Sequence, residues 1–131
     1  MNKFIVSALA VCFFACFVMA FTSCNRDNFT GTRVANPNSY TLDIESMNGT
    51  DNHAMNLKAG DMMHILFKTE KGDLHMEITA PDGAVLYSGD GKDVNDFVVK
   101  IQQDSVHYIT VNASRARGKI SIEIKEKQKN E

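Results

Sequence analysis

The feature that most constrains this chain is a strict two-residue period in its apolar residues. From Ser39 onward apolar and polar residues alternate, in runs such as 40–44 (YTLDI) and 120–124 (ISIEI). Such alternation turns one row of side chains toward a core and the other toward water, as in half-buried β-strands. No stretch after residue 24 has the 3.6-residue period of an amphipathic helix. The sequence therefore predicts an all-β domain.

Turn-forming residues separate these runs at a spacing of roughly ten residues, which is typical of an antiparallel sandwich or barrel. We place the β-sandwich domain at residues 39–126, before a charged tail at 127–131. Lys71-Gly72 predicts a two-residue hairpin turn, because Phe67 would then face Met76 and Ile65 would face Ile78. Residues 24–38 are rich in Asn, Thr and Gly without periodicity, which favours a flexible tether.

The N-terminal segment has the pattern of an export signal. Lys3 precedes an apolar run from Phe4 to Phe21, and Thr22-Ser23-Cys24 then leads into polar residues. This resembles the bacterial lipoprotein signal, whose lipobox ends in a small residue and a cysteine. The resemblance implies that residues 1–23 are a removed signal peptide, and that Cys24 is acylated, with palmitate among its chains. An uncleaved transmembrane anchor and ordinary secretion are the alternatives.

Cysteine usage and charge exclude several classes of function. Cys12 and Cys16 lie inside the signal, so the 108 residues left without residues 1–23 contain no thiol besides Cys24. This excludes disulfide, zinc-finger and cysteine-nucleophile chemistry. Lys3 is the only charged residue removed, and the remaining 13 basic and 16 acidic residues give a formal charge of −3. We therefore expect no nucleic-acid partner.

Several short motifs carry a second resemblance. They are His53–Asp61 (HAMNLKAGD), Gly72-Asp73-Leu74, Pro81-Asp82-Gly83 and the late strand Asp104–Val111 (DSVHYITV). Together they are similar to the bacterial pre-peptidase C-terminal domain over residues 53–124. The resemblance implies a jelly-roll-like β-sandwich of about eight strands, which usually serves as an accessory module beside an enzyme.

Metal handling is the alternative function. Copper binding is suggested by the histidines and methionines His53, Met55, Met62, Met63, His64, His75, Met76 and His107. Period two instead assigns Met55, Met63 and Met76 to the core. Calcium binding is suggested by the loop Ser88–Asp96, with Asp90, Asp93, Asn95 and Asp96, although solvated turn chemistry explains the same residues.

No arrangement of residues predicts an enzyme or a bound cofactor. His107 falls on a predicted core face, as a packed neutral histidine does, and Asp43, Glu45, Glu77 and Glu123 fall on outward rows. Leu66 and Val98 point outward with Tyr108 and Val106, which predicts one exposed apolar and aromatic patch. We interpret the chain as a non-enzymatic binding or accessory module, lipid-anchored in the cell envelope outside the cytoplasm. Its ligand would be a glycan, the cell wall or an envelope protein.

Overall fold

The computed structural model describes residues 27–93 and 95–126. The signal segment 1–23, Cys24 and the tail 127–131 lie outside the described residues, so those predictions stay predictions. Within the described part every regular element is a strand, which confirms the all-β prediction. The six strands are β1 (Asn28–Asn36), β2 (Ser39–Leu57), β3 (Met62–Thr79), β4 (Val85–Gly89), β5 (Asp96–Lys100) and β6 (Ser105–Lys125).

All strand pairs are antiparallel and belong to one sheet. The sheet order is β1-β2-β6-β3-β4, and β5 also pairs with β3. Strands β2, β3 and β6 are unusually long, at 19, 18 and 21 residues. The long strand β6 lies between β2 and β3 and pairs with each of them along most of its length.

The three long strands bend at the same level of the sheet. Pairing of β2 with β6 is irregular at 44–49, and pairing of β3 with β6 is irregular at 69–73, opposite residues 114–118 of β6. We call these segments the bend. Beyond the bend each strand continues into a second layer, since the Tyr40 hydroxyl contacts the Asp51 carboxylate of the same strand. Straight strand would separate two residues eleven positions apart by about 36 Å.

Two layers follow, and both contain parts of the long strands. Layer I consists of β1, β5 and residues 39–44, 62–69 and 118–125. Layer II consists of β4 and residues 49–57, 73–79 and 105–113. We call their solvent-facing sides outer face I and outer face II.

Backbone conformation explains why the chain bends here. Gly49 in β2, Gly72 in β3 and Arg115 in β6 all have positive φ, at 118°, 68° and 46°. Gly72 cannot be replaced without moving β6, because an added Cβ would lie 2.1 Å from the Arg115 carbonyl oxygen. Arg115 keeps its left-handed conformation with a 2.7 Å hydrogen bond from its backbone N–H to Asn48 Oδ1. Positive φ residues of this kind produce β-bulges, which bend and twist a strand.

The two inner faces form one hydrophobic core. The apolar row changes phase at the bend, from odd to even positions in β3 and from even to odd in β2, and stays buried on both sides. The fully buried side chains from the two layers include Tyr40, Leu42, Ile44, Met63, Ile65, Phe67, Ile120 and Ile122 in layer I, and Met55, Leu57, Leu74, Met76, Ile78, Ile109 and Val111 in layer II. Burial of these apolar side chains provides most of the stability.

Three sequence predictions about the fold are corrected by these observations. The Lys71-Gly72 hairpin is wrong, since 62–79 is one strand and the apolar phase change there marks a bulge. The flexible tether is wrong over Asn28–Asn36, which pairs with β2 as strand β1. The described residues form six strands rather than about eight, because segments that alternate separately on either side of a bulge belong to the same bent strand.

Candidate ligand-binding face

Outer face II differs from the rest of the surface in composition. Amides and hydroxyls surround one exposed aromatic ring, and none of the described side chains that the strand register places on it belongs to Lys or Arg. Its acidic residues are Glu77 and, next to the bend, Asp73, which Lys92 of the neighbouring loop contacts at 3.2 Å. The face is formed by alternate residues of β2, β6, β3 and β4: Thr50, Asn52, Ala54, Asn56, Val106, Tyr108, Thr110, Asn112, His75, Glu77, Thr79 and Val85.

The strand register arranges these side chains in parallel rows. Tyr108, at 45% exposed, lies between Ala54 and Thr79, and Val85 follows at 54% exposed. Because outward residues of β6 repeat every second position, Tyr108 and Asn112 are separated by about 13 Å along the strand. The middle strand therefore supports an extended ligand rather than a compact one.

Hydrogen bonds hold the side chains of outer face II that lie next to the bend. Thr50 Oγ1 donates to Asn112 Oδ1 at 2.6 Å, which leaves the Asn112 amide NH₂ as a donor. On the other side His75 Nε2 and Ser88 Oγ are 3.1 Å apart. A shallow depression of about 230 Å³ lies between β3 and β6 here, with His75 and Asn112 in its wall.

Outer face II continues into a groove at the bend. The groove has a volume of about 840 Å³ and is lined by polar and glycine residues, namely Asp27, Asn48, Gly49, Gly72, Asp73, Ala113, Ser114 and Arg115. Carboxylate, amide, hydroxyl and guanidinium groups thus meet at its surface. Face and groove together offer many hydrogen-bond donors and acceptors with little net charge, which suits a ligand rich in hydroxyl and amide groups.

A second polar cluster serves the fold instead. Arg33 Nε contacts both carboxylate oxygens of Asp51 at 3.0 Å, and His53 Nε2 lies 3.1 Å from the Asn36 carbonyl oxygen. The Tyr40 ring stacks on His53, with centroids 5.1 Å apart, and its hydroxyl donates to Asp51. Burial, and then the hydrogen bond to Asp51, raise the pKa of Tyr40 far above its ordinary value. Tyr40 is fully buried, and the cluster joins β1 to the second half of β2.

The predicted copper residues are dispersed. His53 belongs to the cluster just described, while His64 and His75 lie on opposite outer faces. His107 is 1% exposed with Nδ1 3.0 Å from the Ser105 carbonyl oxygen, which confirms a packed histidine. Met55, Met63 and Met76 are core residues as predicted, and Met62 is exposed. Across residues 27–93 and 95–126, no three His, Cys, Asp or Glu side chains come together as metal ligands would.

The acidic loop at 88–96 is held in place by hydrogen bonds to β3 and within its own turn. The carbonyl oxygens of Asp90, Gly91 and Asn95 accept hydrogen bonds from Phe67 and Thr69 of β3. Asp90 Oδ1 accepts the Lys92 N–H at 3.0 Å, as in an Asx turn. Four oxygens of this loop, three backbone carbonyls and Asp90 Oδ1, thus have protein donors. The geometry supports the turn interpretation of this loop.

The predicted apolar patch is in fact two patches. Leu66, Val98 and Tyr108 are exposed as predicted, at 43%, 49% and 45%. The strand register, however, places Leu66 and Val98 on outer face I and places Tyr108 with Val106 on outer face II. The sequence alone did not reveal the amide side chains near Tyr108. They occupy even positions of 50–56 and 106–112, which become neighbours only once the pairing of β2 with β6 is known.

Comparisons with known proteins complete the description. No protein-family model matches the chain, and no curated protein matches it. Among solved structures, the chain is similar to PliG of Aeromonas hydrophila, a periplasmic lysozyme inhibitor of g-type lysozyme, with a TM-score of 0.49 and 17% identity over 67% of this chain and 87% of that one. No helix in the described part of the chain is long and apolar enough to cross a membrane.

Proposed function

We propose that this protein is a non-enzymatic binding module, anchored by lipid at Cys24 outside the cytoplasm, that binds the glycan of the cell wall on outer face II. The observation that carries the proposal is the surface around Tyr108. Its exposed ring lies beside Ala54 and Thr79, and the amides of Asn52 and Asn56 follow diagonally on β2.

A neutral glycan suits this face better than a charged ligand does. A sugar presents hydroxyl and acetamido groups, which pair with the side chains of Asn52, Thr110 and Asn112, and an apolar ring face, which stacks on Tyr108. An anionic polymer would instead require a cluster of Lys and Arg, and the described part of outer face II contains none. An envelope protein is the competing ligand, since Tyr is also frequent at protein interfaces.

A binding role also agrees with the placement of the titratable groups. The buried His107 has no path to a ligand, and Glu77 lies on an open sheet face rather than in a cleft. Acid–base catalysis requires a group with a matched pKa at hydrogen-bond distance from a bound substrate. Tyr108, Thr110 and Asn112 present hydrogen-bond donors and acceptors to a ligand.

The lipid anchor is tested separately from the ligand. Mass spectrometry of the membrane-fraction protein should show an N-terminus at residue 24 that carries acyl chains. Cys24→Ser should abolish acylation and leave the melting temperature unchanged, because residue 24 precedes every strand. An intact Met1, or a free thiol at position 24, would contradict the lipoprotein interpretation.

The ligand is tested by co-sedimentation of the detergent-solubilised protein with purified cell-wall sacculi. Tyr108→Ala should weaken binding about tenfold, as removal of a central aromatic contact does at interfaces. Leu66→Ala is the matched control, because Leu66 is equally exposed at 43% but lies on the other outer face. Equal binding by both variants, or capture of an envelope protein by Tyr108 with no binding to sacculi, would refute the glycan proposal.

A further inference from the structure

We propose that outer face I of the domain docks on the bilayer, where anionic phospholipid headgroups cover it. The proposal rests on the lipid attachment at Cys24 described above and goes beyond it, because a lipid tether alone leaves the domain free to rotate. Three observations support docking: the reach of the tether, the distribution of lysines and the position of four exposed apolar side chains.

The tether is short and leads into β1. Strand β1 starts at Asn28, which pairs with Asn48 at the bend, and its residues 31–36 continue along β2 in layer I, at the opposite edge of the sheet from β4. Cys24 precedes Asn28 by four residues, and a chain spans at most about 3.5 Å per residue, so the lipid lies within about 14 Å of Asn28. The layer that contains β1 is thereby held near the headgroups.

The lysines distinguish the two faces. Outer face I carries Lys68, Lys100, Lys119 and Lys125, against the carboxylates of Asp43, Asp96 and Glu123. Outer face II, as far as the structure describes it, carries Glu77 and Asp73, and Lys92 of the neighbouring loop pairs with Asp73 at 3.2 Å. Outer face I is close to neutral, but it presents four ammonium groups on which lipid phosphates can bind. An anionic lipid surface therefore attracts outer face I more than outer face II.

The arrangement of the lysines points to an external anion. Lys68 and Lys119 are direct cross-strand partners, and like charges in that position destabilise a sheet, whereas Asp43 faces Lys119 from the other side. The ion pairs found within the described residues involve neither of them nor Lys100 or Lys125. A phosphate of the bilayer would supply Lys68 with the counter-charge that Asp43 offers to Lys119.

The exposed apolar side chains complete the surface. Val34, Met62, Leu66 and Val98 are between 42% and 49% exposed, and all four belong to outer face I. Met62 lies directly between its cross-strand partners Lys100 and Lys125. Apolar groups flanked by lysines, whose methylene stems pack on apolar surface while the ammonium groups reach phosphates, are typical of surfaces that dock on lipid. With outer face I on the bilayer, outer face II points away from it.

The test uses the full acylated protein in vesicles of phosphatidylglycerol and phosphatidylethanolamine. A single cysteine is introduced at Ser121 on outer face I or at Glu77 on outer face II and labelled with an environment-sensitive fluorophore. Quenchers attached to the lipid headgroups should then quench the label at 121 several-fold more than the label at 77. The double variant Lys68→Glu/Lys119→Glu, both positions being exposed, should shift the docking equilibrium about 30-fold toward the undocked domain, since each lysine near an anionic bilayer contributes about fivefold.

Three outcomes would overturn the proposal, and each is seen in a different measurement. Vesicle flotation with equal quenching at both positions would mean a tethered domain that does not dock. Shielding of the label at 121 that rises with protein concentration in detergent would assign outer face I to a second copy of the chain. Absence of acyl chains at residue 24 by mass spectrometry would remove the tether itself, whereas loss of binding to sacculi alone would leave docking intact.

Discussion

Replacing Gly72 by Ala tests the bend, on which both outer faces depend. The added Cβ would lie 2.1 Å from the Arg115 carbonyl oxygen and 2.6 Å from that of Ser114, so backbone rather than a flexible side chain must move. A left-handed φ of 68° alone costs a residue with a Cβ about 1 kcal/mol, and forcing two strands apart adds about 2 kcal/mol. We expect Gly72→Ala to lower the free energy of unfolding by about 3 kcal/mol.

Gly83→Ala provides the matched control for this experiment. Gly83 also has a positive φ, of 86°, but no atom lies within 4 Å of its added Cβ. We expect this variant to lose only about 1 kcal/mol. Urea unfolding, followed by circular dichroism, measures both values. Equal losses in the two variants would refute the close approach of β3 to β6, and would favour an ordinary turn at Gly72.

The remaining predictions concern single side chains. Arg115→Gly should raise the free energy of unfolding by about 1 kcal/mol in urea titrations, because glycine adopts φ 46° without strain; a decrease would mean that the guanidinium stabilises the bend. Tyr40→Phe should cost about 2 kcal/mol at pH 7, through loss of the hydrogen bond to the Asp51 carboxylate. The folded-state pKa of Tyr40 is raised, so the stability that its neutral form provides is complete below pH 10 and declines by about 1.4 kcal/mol per pH unit above it. The free energies of unfolding of the unmodified protein and of Tyr40→Phe should therefore converge in alkali. A constant difference between them would contradict the burial of a neutral ring. Tyr108→Ala should change stability by less than about 0.5 kcal/mol by thermal melt, as for exposed positions, and a larger loss would assign the ring to the fold.

The core could be predicted from the sequence, because burial follows period two within each straight part of a strand. Met63, Ile65 and Phe67 are buried as the alternation indicates, and so is His107. The bend could not be predicted in this way. A bulge and a hairpin turn both change the phase of alternation and both use a glycine such as Gly72, and only pairing with β6, 40 residues later, distinguishes them.

The candidate site was predicted only in part for the same reason. Exposure of Tyr108 and of Leu66 follows from local alternation, and both are confirmed. Whether two exposed residues share a face depends on which layer each half-strand joins, which local sequence does not encode. Strand β1 was missed because its residues are exposed apart from Ala35, which leaves no apolar row to recognise.

A chemical-shift map of the backbone amides, recorded during titration with a soluble fragment of the cell-wall glycan, locates the ligand directly. We expect saturable shifts on outer face II, centred on Tyr108, Thr110 and Asn112 of β6 and their neighbours at 50–56 and 75–79. Amides of β5 and of residues 62–66, on the opposite side of the domain, should stay unchanged. Shifts confined to outer face I, or no shift at any glycan concentration, would contradict the account.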